Sequence, residues 1–364
     1  MQLAEIIVKK IRAGGPVSFH DFMEMALYYP GLGYYTSQKN RIGKHGDYYT
    51  SPVLSSLYGQ MIAKQIEEMW RLMDEEPFSI VEYGAGSCAL CFDILDYLKN
   101  NEDLYRHLNY YIIERNGLSQ QTEQRSLHPK AKFICDIEET GKINGCVLSN
   151  ELLDNFSVHM VVVKDELMEV FVDYQNDEFT EVLKPASGEL KNYFLEQKII
   201  LAKDYRTEIN LQALEWIEKI ASGLRRGFVI TIDYGYTAGD LYSINRNTGT
   251  LACYYQHCVT GTPYCNIGQQ DITAHVNFSA LNTWGKKYGL DYTGFCNQNY
   301  FLRSMGIAHH LRKTEQEISY NTMDPLLPVN KLLLEMGNNF KVLIQHKGIQ
   351  TRPLTGMQFS RQLL

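Results

Sequence analysis

Apolar residues along this chain fall into short continuous runs and longer stretches with helical spacing, and the two kinds alternate over residues 78–150. Continuous runs such as 78–81 predict buried strands, whereas Leu90, Ile94 and Leu98 recur with the period of an amphipathic helix. The predicted elements are strand 78–83, helix 87–100, strand 110–114, helix 118–126, strand 132–135 and strand 146–149. This alternation predicts an α/β fold with a doubly wound parallel sheet, whose ligands bind at the carboxyl ends of the strands.

The flanking regions have different patterns. Residues 1–76 combine a first helix, a loop rich in glycine and tyrosine from Tyr28 to Tyr49, and a helix over 53–73. We expect a helical cap whose loop either covers the cofactor or packs on the core. Residues 158–183 carry three strand-like runs separated by polar turns, which predict an antiparallel β insertion. The remaining predicted elements are helices 188–200 and 207–222, strand 228–232, a helix from Asp271 to Tyr288, strand 290–294, a helix over about 298–312 and strand 340–345. The predicted domains are 1–76 and 77–364, with the insertion at about 155–222.

The turn after the first predicted core strand has the composition of a nucleotide-binding turn. Gly84 and Gly86 lack the side chains that would keep a ligand away from the backbone. Glu82 is an acid at the end of a buried strand, where an unpaired charge is costly. Glu114 ends the next strand, thirty positions after Gly84, where a carboxylate can bind both hydroxyls of a ribose.

Weaker signals accompany this turn. Asp136 follows the third strand and can meet an adenine amino group, although a simple turn aspartate fits the same place. Ala89 stands where dinucleotide sites have their third glycine, and because alanine is tolerated there, NAD stays open as a cofactor. An ordinary strand-to-helix turn without a ligand is the alternative for the two glycines.

Polar residues also follow the fourth strand, at Asn150, Glu151 and Asp154. Two carboxylates and an amide at the carboxyl end of a strand could hold a cationic acceptor, above all a guanidinium, which pairs bidentately with carboxylates. Helix capping by the same three residues is the alternative.

Six segments, in order along the chain, resemble one known family. They are Gly33-Tyr34-Tyr35, Gly46-Asp47-Tyr48-Tyr49-Thr50-Ser51-Pro52, Glu82-x-Gly84-x-Gly86, Asn150-Glu151-Leu152-Leu153-Asp154, Asp233-Tyr234-Gly235 and Gln270-Asp271-Ile272-Thr273-Ala274-His275-Val276-x-Phe278. The resemblance is to the MidA-type class I methyltransferases, whose mitochondrial members are arginine methyltransferases that assist assembly of respiratory complex I. The chain departs from the usual pattern at Ala85, Ser87, Cys88 and over residues 155–157.

The resemblance implies a Rossmann-like class I fold and S-adenosyl-L-methionine as cofactor, bound by Glu82, Gly84, Ala85, Gly86, Glu114 and Asp136. It implies methyl transfer to an arginine of a protein partner, with catalysis by Asn150, Glu151 and Asp154. By the same resemblance the partner would be a respiratory-complex subunit, and a homodimer is one option for the protein's own assembly. Two alternatives stay open: a small-molecule methyltransferase and a non-catalytic assembly factor that binds S-adenosylmethionine. A dehydrogenase is a more distant one.

Composition limits which binding partners and which cellular compartment are expected. The 364 residues carry a net charge of −7 and a pI of about 5.8, which does not suggest a nucleic-acid-binding surface. No apolar run approaches the roughly 20 residues that span a bilayer, so no membrane insertion is expected. The N-terminus has neither a secretory signal nor the Arg- and Ser-rich composition of a transit peptide, which predicts a cytoplasmic, bacterial-type protein.

The cysteines and the acidic residues add two expectations. The eight cysteines are expected to be mostly free thiols, and no metal site is predicted, because Cys253, His257, Cys258 and Cys265 match no standard zinc spacing. Residues 150–181 contain nine acids and one base, Lys164. Either they form a solvated hairpin, or their charge steers a basic protein segment toward the pocket.

Overall fold

The computed structural model describes residues 2–37, 51–115, 127–256, 258–309, 327–350 and 353–363. Residues 38–49 of the predicted lid loop, the predicted helix at 118–126 and His257 lie outside these ranges. Within the described ranges, no helix is long and apolar enough to cross a membrane. In the same part of the chain, no group of three or more His, Cys, Asp or Glu side chains could hold a metal ion. The eight cysteines are free thiols, as predicted.

The helices of the described residues are numbered in chain order. They are α1 (Leu3–Gly14), α2 (Phe19–Tyr28), α3 (Ser51–Leu54), α4 (Ser56–Leu72), α5 (Ala89–Leu98), α6 (Glu102–His107), α7 (Gly188–Gln197), α8 (Leu211–Gly223), α9 (Ala238–Leu241), α10 (Phe278–Lys287), α11 (Gln298–Ser304), α12 (Leu327–Asn330) and α13 (Gly337–Asn339). A π-helical segment, Lys331–Met336, joins the last two.

The strands include all seven strands that the sequence predicts outside the insertion. They are β1 (Val17–Ser18), β2 (Phe78–Tyr83), β3 (Leu108–Ile113), β4 (Ala131–Ile134), β5 (Ile143–Asn150), β6 (His159–Val163), β7 (Leu167–Gln175), β8 (Glu178–Pro185), β9 (Arg206–Ile209), β10 (Leu224–Tyr236), β11 (Ala252–Tyr255), β12 (Cys258–Thr260), β13 (Asp271–Thr273), β14 (Val276–Asn277), β15 (Asp291–Asn297) and β16 (Phe340–Lys347).

The central sheet has the order β15-β16-β10-β5-β2-β3-β4, and the short β14 pairs with the end of β10. The pairs β10–β5, β5–β2, β2–β3 and β3–β4 are parallel, whereas β16 runs antiparallel to both of its neighbours. This confirms the predicted doubly wound sheet. The chain order reverses between β2 and β5, and the carboxyl ends of these two strands therefore flank the crevice where such sheets bind ligands.

Helices cover both faces of this sheet. Ile80 and Leu148 belong to a core on one face that includes residues of α4 and α5. Their chain neighbours Val81 and Val147 belong to a second core, which includes residues of α8 and α10. Successive side chains of a strand point to opposite faces, so strands buried on both sides need continuous apolar runs. This is why the runs in the sequence located the core strands correctly.

The N-terminal helices and the insertion share one hydrophobic core. β1 pairs antiparallel with β7, which brings Val17 opposite Val172. Residues of α1 and α2, such as Ile7 and Phe22, are buried with Val170 of the insertion. The insertion sheet has the order β1-β7-β6-β9, with β8 paired to β7, which confirms the predicted antiparallel hairpins. The division of the chain into a cap of residues 1–76 and a core of residues 77–364 stays a prediction.

The predicted helix at 207–222 starts later than expected. Residues 206–209 form β9, which pairs with β6, and α8 begins after Asn210, whose side chain caps it by accepting from the Ala213 N–H. Ile217 of α8 packs in the core of the central sheet. This helix is therefore a crossover to β10, the next strand of the central sheet.

The predicted helix from Asp271 is also wrong at its start. Residues 271–273 form β13, in which Asp271 pairs with Tyr254 of β11. The helix α10 begins at Phe278, and the side chain of Asn277 caps it by accepting from the Ala280 N–H. Strand pairing in the folded protein overrode the local capping signal of Asp271.

Candidate functional site

The turn after β2 has a left-handed backbone at three positions. The φ angles are +71° at Gly84, +53° at Gly86 and +57° at Cys88. A Cβ atom at Gly84 would lie 2.8 Å from Cδ1 of Leu152, in the loop after β5. The left-handed conformation therefore favours glycine at position 84, and any side chain there would also have to displace the end of Leu152. Ala85, between the two glycines, packs partly buried against the main core.

The two acids predicted beside this turn have different surroundings. Glu82 is 2% exposed and accepts a hydrogen bond from the hydroxyl of Tyr110 at 2.7 Å, which ties β2 to β3. Glu114 follows β3, and its Oε2 lies 3.4 Å from the backbone nitrogen of Gly86. The carboxylate of Glu114 thus lies against the glycine turn, where ribose hydroxyls would reach it.

Asp136 has a local structural role in this structure. Its carboxylate accepts from the Glu138 N–H at 3.1 Å, caps the turn Ile137–Thr140 and forms an ion pair with Lys219. Nearby, burial and then the charge of Asp136 raise the pKa of Tyr83. The contact of Asp136 with adenine therefore stays a prediction.

Asn150 ends β5 and is held by a helix from the N-terminal part of the fold. Tyr58 of α4 is fully buried and donates its hydroxyl to Asn150 Oδ1 at 2.5 Å. The Asn150 amide in turn donates to Glu151 Oε1 at 3.2 Å, and the Ser51 backbone N–H donates to the same oxygen at 2.9 Å. These bonds fix Oε1 of Glu151, whereas its Oε2 takes part in neither.

Glu151 and Asp154 do not share a helical turn. The φ of Glu151 is +53°, and a short 3₁₀ turn follows only at Leu153–Asn155. The two carboxylates still influence each other. Burial raises the pKa of Glu151 to about 7, the hydrogen bond from Ser51 opposes this shift, and the charge of Asp154 adds to it.

Asp154 is the most distinctive group of the site. Its side chain is 6% exposed, and its Oδ1 has no hydrogen-bond partner within the described part of the chain. Burial raises the pKa of Asp154 to about 6, and a hydrogen bond with the Tyr234 side chain opposes this shift. A buried carboxylate oxygen without a donor is costly, so this position suits a ligand that brings hydrogen-bond donors.

Asp233, at the carboxyl end of β10, holds the loop that carries Asp154. Its Oδ2 accepts from the backbone N–H groups of Leu152, Leu153 and Asp154, at 3.2, 2.8 and 3.3 Å. A carboxylate at the start of a helical turn satisfies donors that the turn itself leaves free. Burial and the neighbouring charge of Asp154 raise the pKa of Asp233.

Sequence reasoning did not assign Ser51, Tyr58 and Asp233 to the site. Two of them had a signal, since Ser51 lies in the second segment of the family resemblance and Asp233 opens the fifth. Tyr58 had none, because only the packing of α4 against β5 brings its hydroxyl to Asn150.

Comparison with known proteins identifies the family. Residues 61–296 match the model of the S-adenosyl-L-methionine-dependent methyltransferase family Methyltransf_28. The chain belongs to this family. Its cofactor is S-adenosyl-L-methionine, and the left-handed glycine turn with Glu114 beside it fits that ligand. A solved structure of a methyl transferase candidate from Burkholderia thailandensis, bound to S-adenosyl-homocysteine, is 28% identical with a TM-score of 0.88. The similarity covers 98% of this chain and 95% of that one.

Curated relatives of this methyltransferase match over most of its length. A Caenorhabditis elegans protein is 27% identical over 93% of this chain and 85% of its own length, and a human protein is 25% identical over 94% and 83%. They are named protein arginine methyltransferase NDUFAF7 homolog and NDUFAF7, both mitochondrial. The expectation of a cytoplasmic protein is contradicted by these names. The composition of the first residues was a weak basis for assigning a compartment.

Proposed function

We propose that this methyltransferase transfers the methyl group of S-adenosyl-L-methionine to an arginine side chain of a protein. The observation that carries the proposal is the buried Asp154, with one oxygen lacking a donor, on a loop whose Leu152 packs on the cofactor turn. A guanidinium is a planar cation with five N–H donors and suits carboxylates that lack donors. The relatives named as protein arginine methyltransferases support the same acceptor.

This proposal gives different roles to Glu151, Asp154 and Asn150. Oε1 of Glu151 is fixed by Ser51 and Asn150, so Oε2 can pair with the guanidinium and set its angle of attack. The cofactor supplies an activated methyl group on a sulfonium. Transfer forms a bond between the acceptor nitrogen and the methyl carbon, leaves the bonding electron pair on sulfur and releases one proton. In this proposal the carboxylate of Asp154, whose pKa burial raises to about 6, accepts that proton.

Fixed geometry should supply much of the rate. Asn150 is held by the buried hydroxyl of Tyr58, and the backbone after it by Asp233. A nucleophile that is aligned before reaction avoids a large entropic barrier. From the family resemblance, the first candidate for the protein partner is a subunit of a respiratory complex. We also propose that the enzyme itself assembles as a homodimer.

Labelling in a lysate tests this function. Purified enzyme and labelled S-adenosylmethionine are added to the lysate of a strain lacking the enzyme, and labelled residues are mapped by mass spectrometry. We expect methylarginine in protein. Gly84→Val is the control expected to block cofactor binding, because a branched side chain is strained at a φ of +71° and would stand where the ligand meets the backbone. Label on lysine, nucleic acid or a small molecule would refute the arginine assignment.

A further inference from the structure

A second buried carboxylate lies next to the loop of Asp154. The short strand β13 is attached to that loop, since the Ala274 N–H after the strand donates to the backbone oxygen of Asp154 at 2.8 Å. Asp271 begins β13 and is 4% exposed. Tyr254 is its cross-strand partner, and such partners share one face of a sheet. β13 and its neighbour β11 therefore bring a carboxylate and an aromatic ring to the side of the Asp154 loop.

Tyr28 of α2 and Tyr35, which follows that helix, contact the loop after β5 and the strand β13. The Tyr35 hydroxyl donates to Asp271 Oδ1 at 2.8 Å, and the Tyr28 hydroxyl donates to Asn155 Oδ1, also at 2.8 Å. The two rings stack with centroids 5.5 Å apart. One stacked pair thus connects β13 to the residue that follows Asp154.

Two tyrosines lie within the field of both carboxylates. Burial is the main cause of the raised pKa of Tyr254, and the charges of Asp271 and then Asp154 add to it. Burial also raises the pKa of Tyr28, where Arg115 opposes the shift and Asp271 and Asp154 add to it. The two acids therefore lie near the same rings, one on β13 and one on the loop after β5.

The ring of Tyr28 already contacts a guanidinium. The Arg115 guanidinium lies 4.1 Å from its centroid and forms an ion pair with Glu24. Aromatic faces attract guanidinium groups through cation–π interaction. Tyrosine rings and carboxylates in this region thus have the chemistry that binds an arginine side chain.

We propose that Asp271 is a second acceptor-binding carboxylate, which pairs with the guanidinium from the side opposite Asp154 in a pocket walled by Tyr28, Tyr35 and Tyr254. The inference rests on the proposed function and names the residue that selects its acceptor. A planar guanidinium offers donors along two edges and can join two carboxylates, whereas an ammonium is a compact point charge. The pocket should therefore prefer arginine to lysine.

Binding of an arginine mimic tests the role of Asp271 without a known partner. Ethylguanidinium and ethylammonium are titrated into the enzyme loaded with S-adenosylhomocysteine, and binding is followed by calorimetry or NMR. Asp271→Asn keeps the size of the side chain and an oxygen for the Tyr35 hydroxyl, but removes the charge. We expect ethylguanidinium affinity to fall roughly 10- to 100-fold, the loss of one charge-assisted pair, with unchanged affinity for S-adenosylhomocysteine. That unchanged affinity also shows that the variant is folded.

Glu169→Gln is the matched control. Glu169 is buried like Asp271, with 7% of its surface exposed, but it lies in the insertion sheet, where it pairs with His159. This variant should bind ethylguanidinium as the wild type does. Equal affinity of wild type and Asp271→Asn for ethylguanidinium, or tighter wild-type binding of ethylammonium, would overturn the proposal. The lysate experiment distinguishes failure of this inference from failure of the proposed function. If methylarginine forms and Asp271→Asn does not change ethylguanidinium binding, only the role of Asp271 is refuted. If methyllysine forms, the proposed function is refuted.

Discussion

At the scale of single residues, Glu151 offers the sharpest test of the chemistry. Glu151→Gln keeps the side-chain size and an oxygen for Ser51, but it loses the charge that pairs with a guanidinium. Loss of one charge-assisted interaction in the transition state costs about 2–4 kcal/mol, or roughly 30- to 1,000-fold in rate. We expect calorimetry to show normal cofactor binding while methyl transfer falls by that factor. Full activity would refute the role of Glu151.

The pH dependence of methyl transfer is a second test at this scale. The pKa of Glu151 is raised to about 7 and that of Asp154 to about 6. Below these values the carboxyls are protonated and cannot pair with a cation, whereas the arginine acceptor stays protonated throughout. The initial rate should therefore rise with pH through about 6 to 8. In Glu151→Gln only the lower inflection should remain, and a flat wild-type profile would contradict the assignment.

At the scale of elements, Asp233 of β10 fixes the 3₁₀ turn after β5. Asp233→Ala would leave three backbone N–H groups without their acceptor. Because each unsatisfied buried donor costs about 1–3 kcal/mol, we expect the free energy of unfolding to fall by roughly 3–9 kcal/mol in urea titrations. Asp136→Ala removes a partly exposed cap and should cost only about 1 kcal/mol. Equal losses in the two variants would show that the turn does not depend on Asp233.

At the scale of the whole molecule, most acids of residues 150–181 are already engaged. Glu151 and Asp154 lie on the loop after β5. Three others form the ion pairs Lys203–Asp165, Lys191–Glu166 and Arg206–Glu181, and Glu169 is hydrogen-bonded to His159. Asp177 and Glu178 are exposed at the β7–β8 turn and line a cleft of about 860 Å³ beside α1. Steering of a basic partner is therefore expected mainly from this turn.

Charge reversal tests that steering. Asp177→Lys with Glu178→Lys should slow association with the acceptor protein, once the lysate experiment identifies it, by roughly two- to tenfold at low salt. The effect should shrink as salt screens the charges. Asp165→Lys with Glu166→Lys makes the same charge change at the β6–β7 turn and should have less effect. Equal stopped-flow rates for both double variants would favour a merely solvated hairpin.

The sequence by itself determined the central sheet and the cofactor turn. Continuous apolar runs specify strands buried on both faces, and Gly84 and Gly86 specify a left-handed turn, because these requirements are local in the chain. The family resemblance added the cofactor and drew attention to segments far apart in the sequence. Periodicity and capping signals were less reliable where strands are short, as at β9 and β13.

Only the tertiary structure decided how the acceptor side is assembled. Ser51 and Asp233 reach the loop after β5 from two distant parts of the chain, and Ala274, which follows β13, donates to the same loop. A helix-capping aspartate and an aspartate at the start of a strand look alike in sequence, and pairing with Tyr254 is what places Asp271 in the strand β13. The carboxylate of the left-handed Glu151 accepts from its neighbour Asn150 and from the Ser51 backbone. No local pattern encodes the Ser51 contact, because it forms only when the N-terminal residues pack against the sheet.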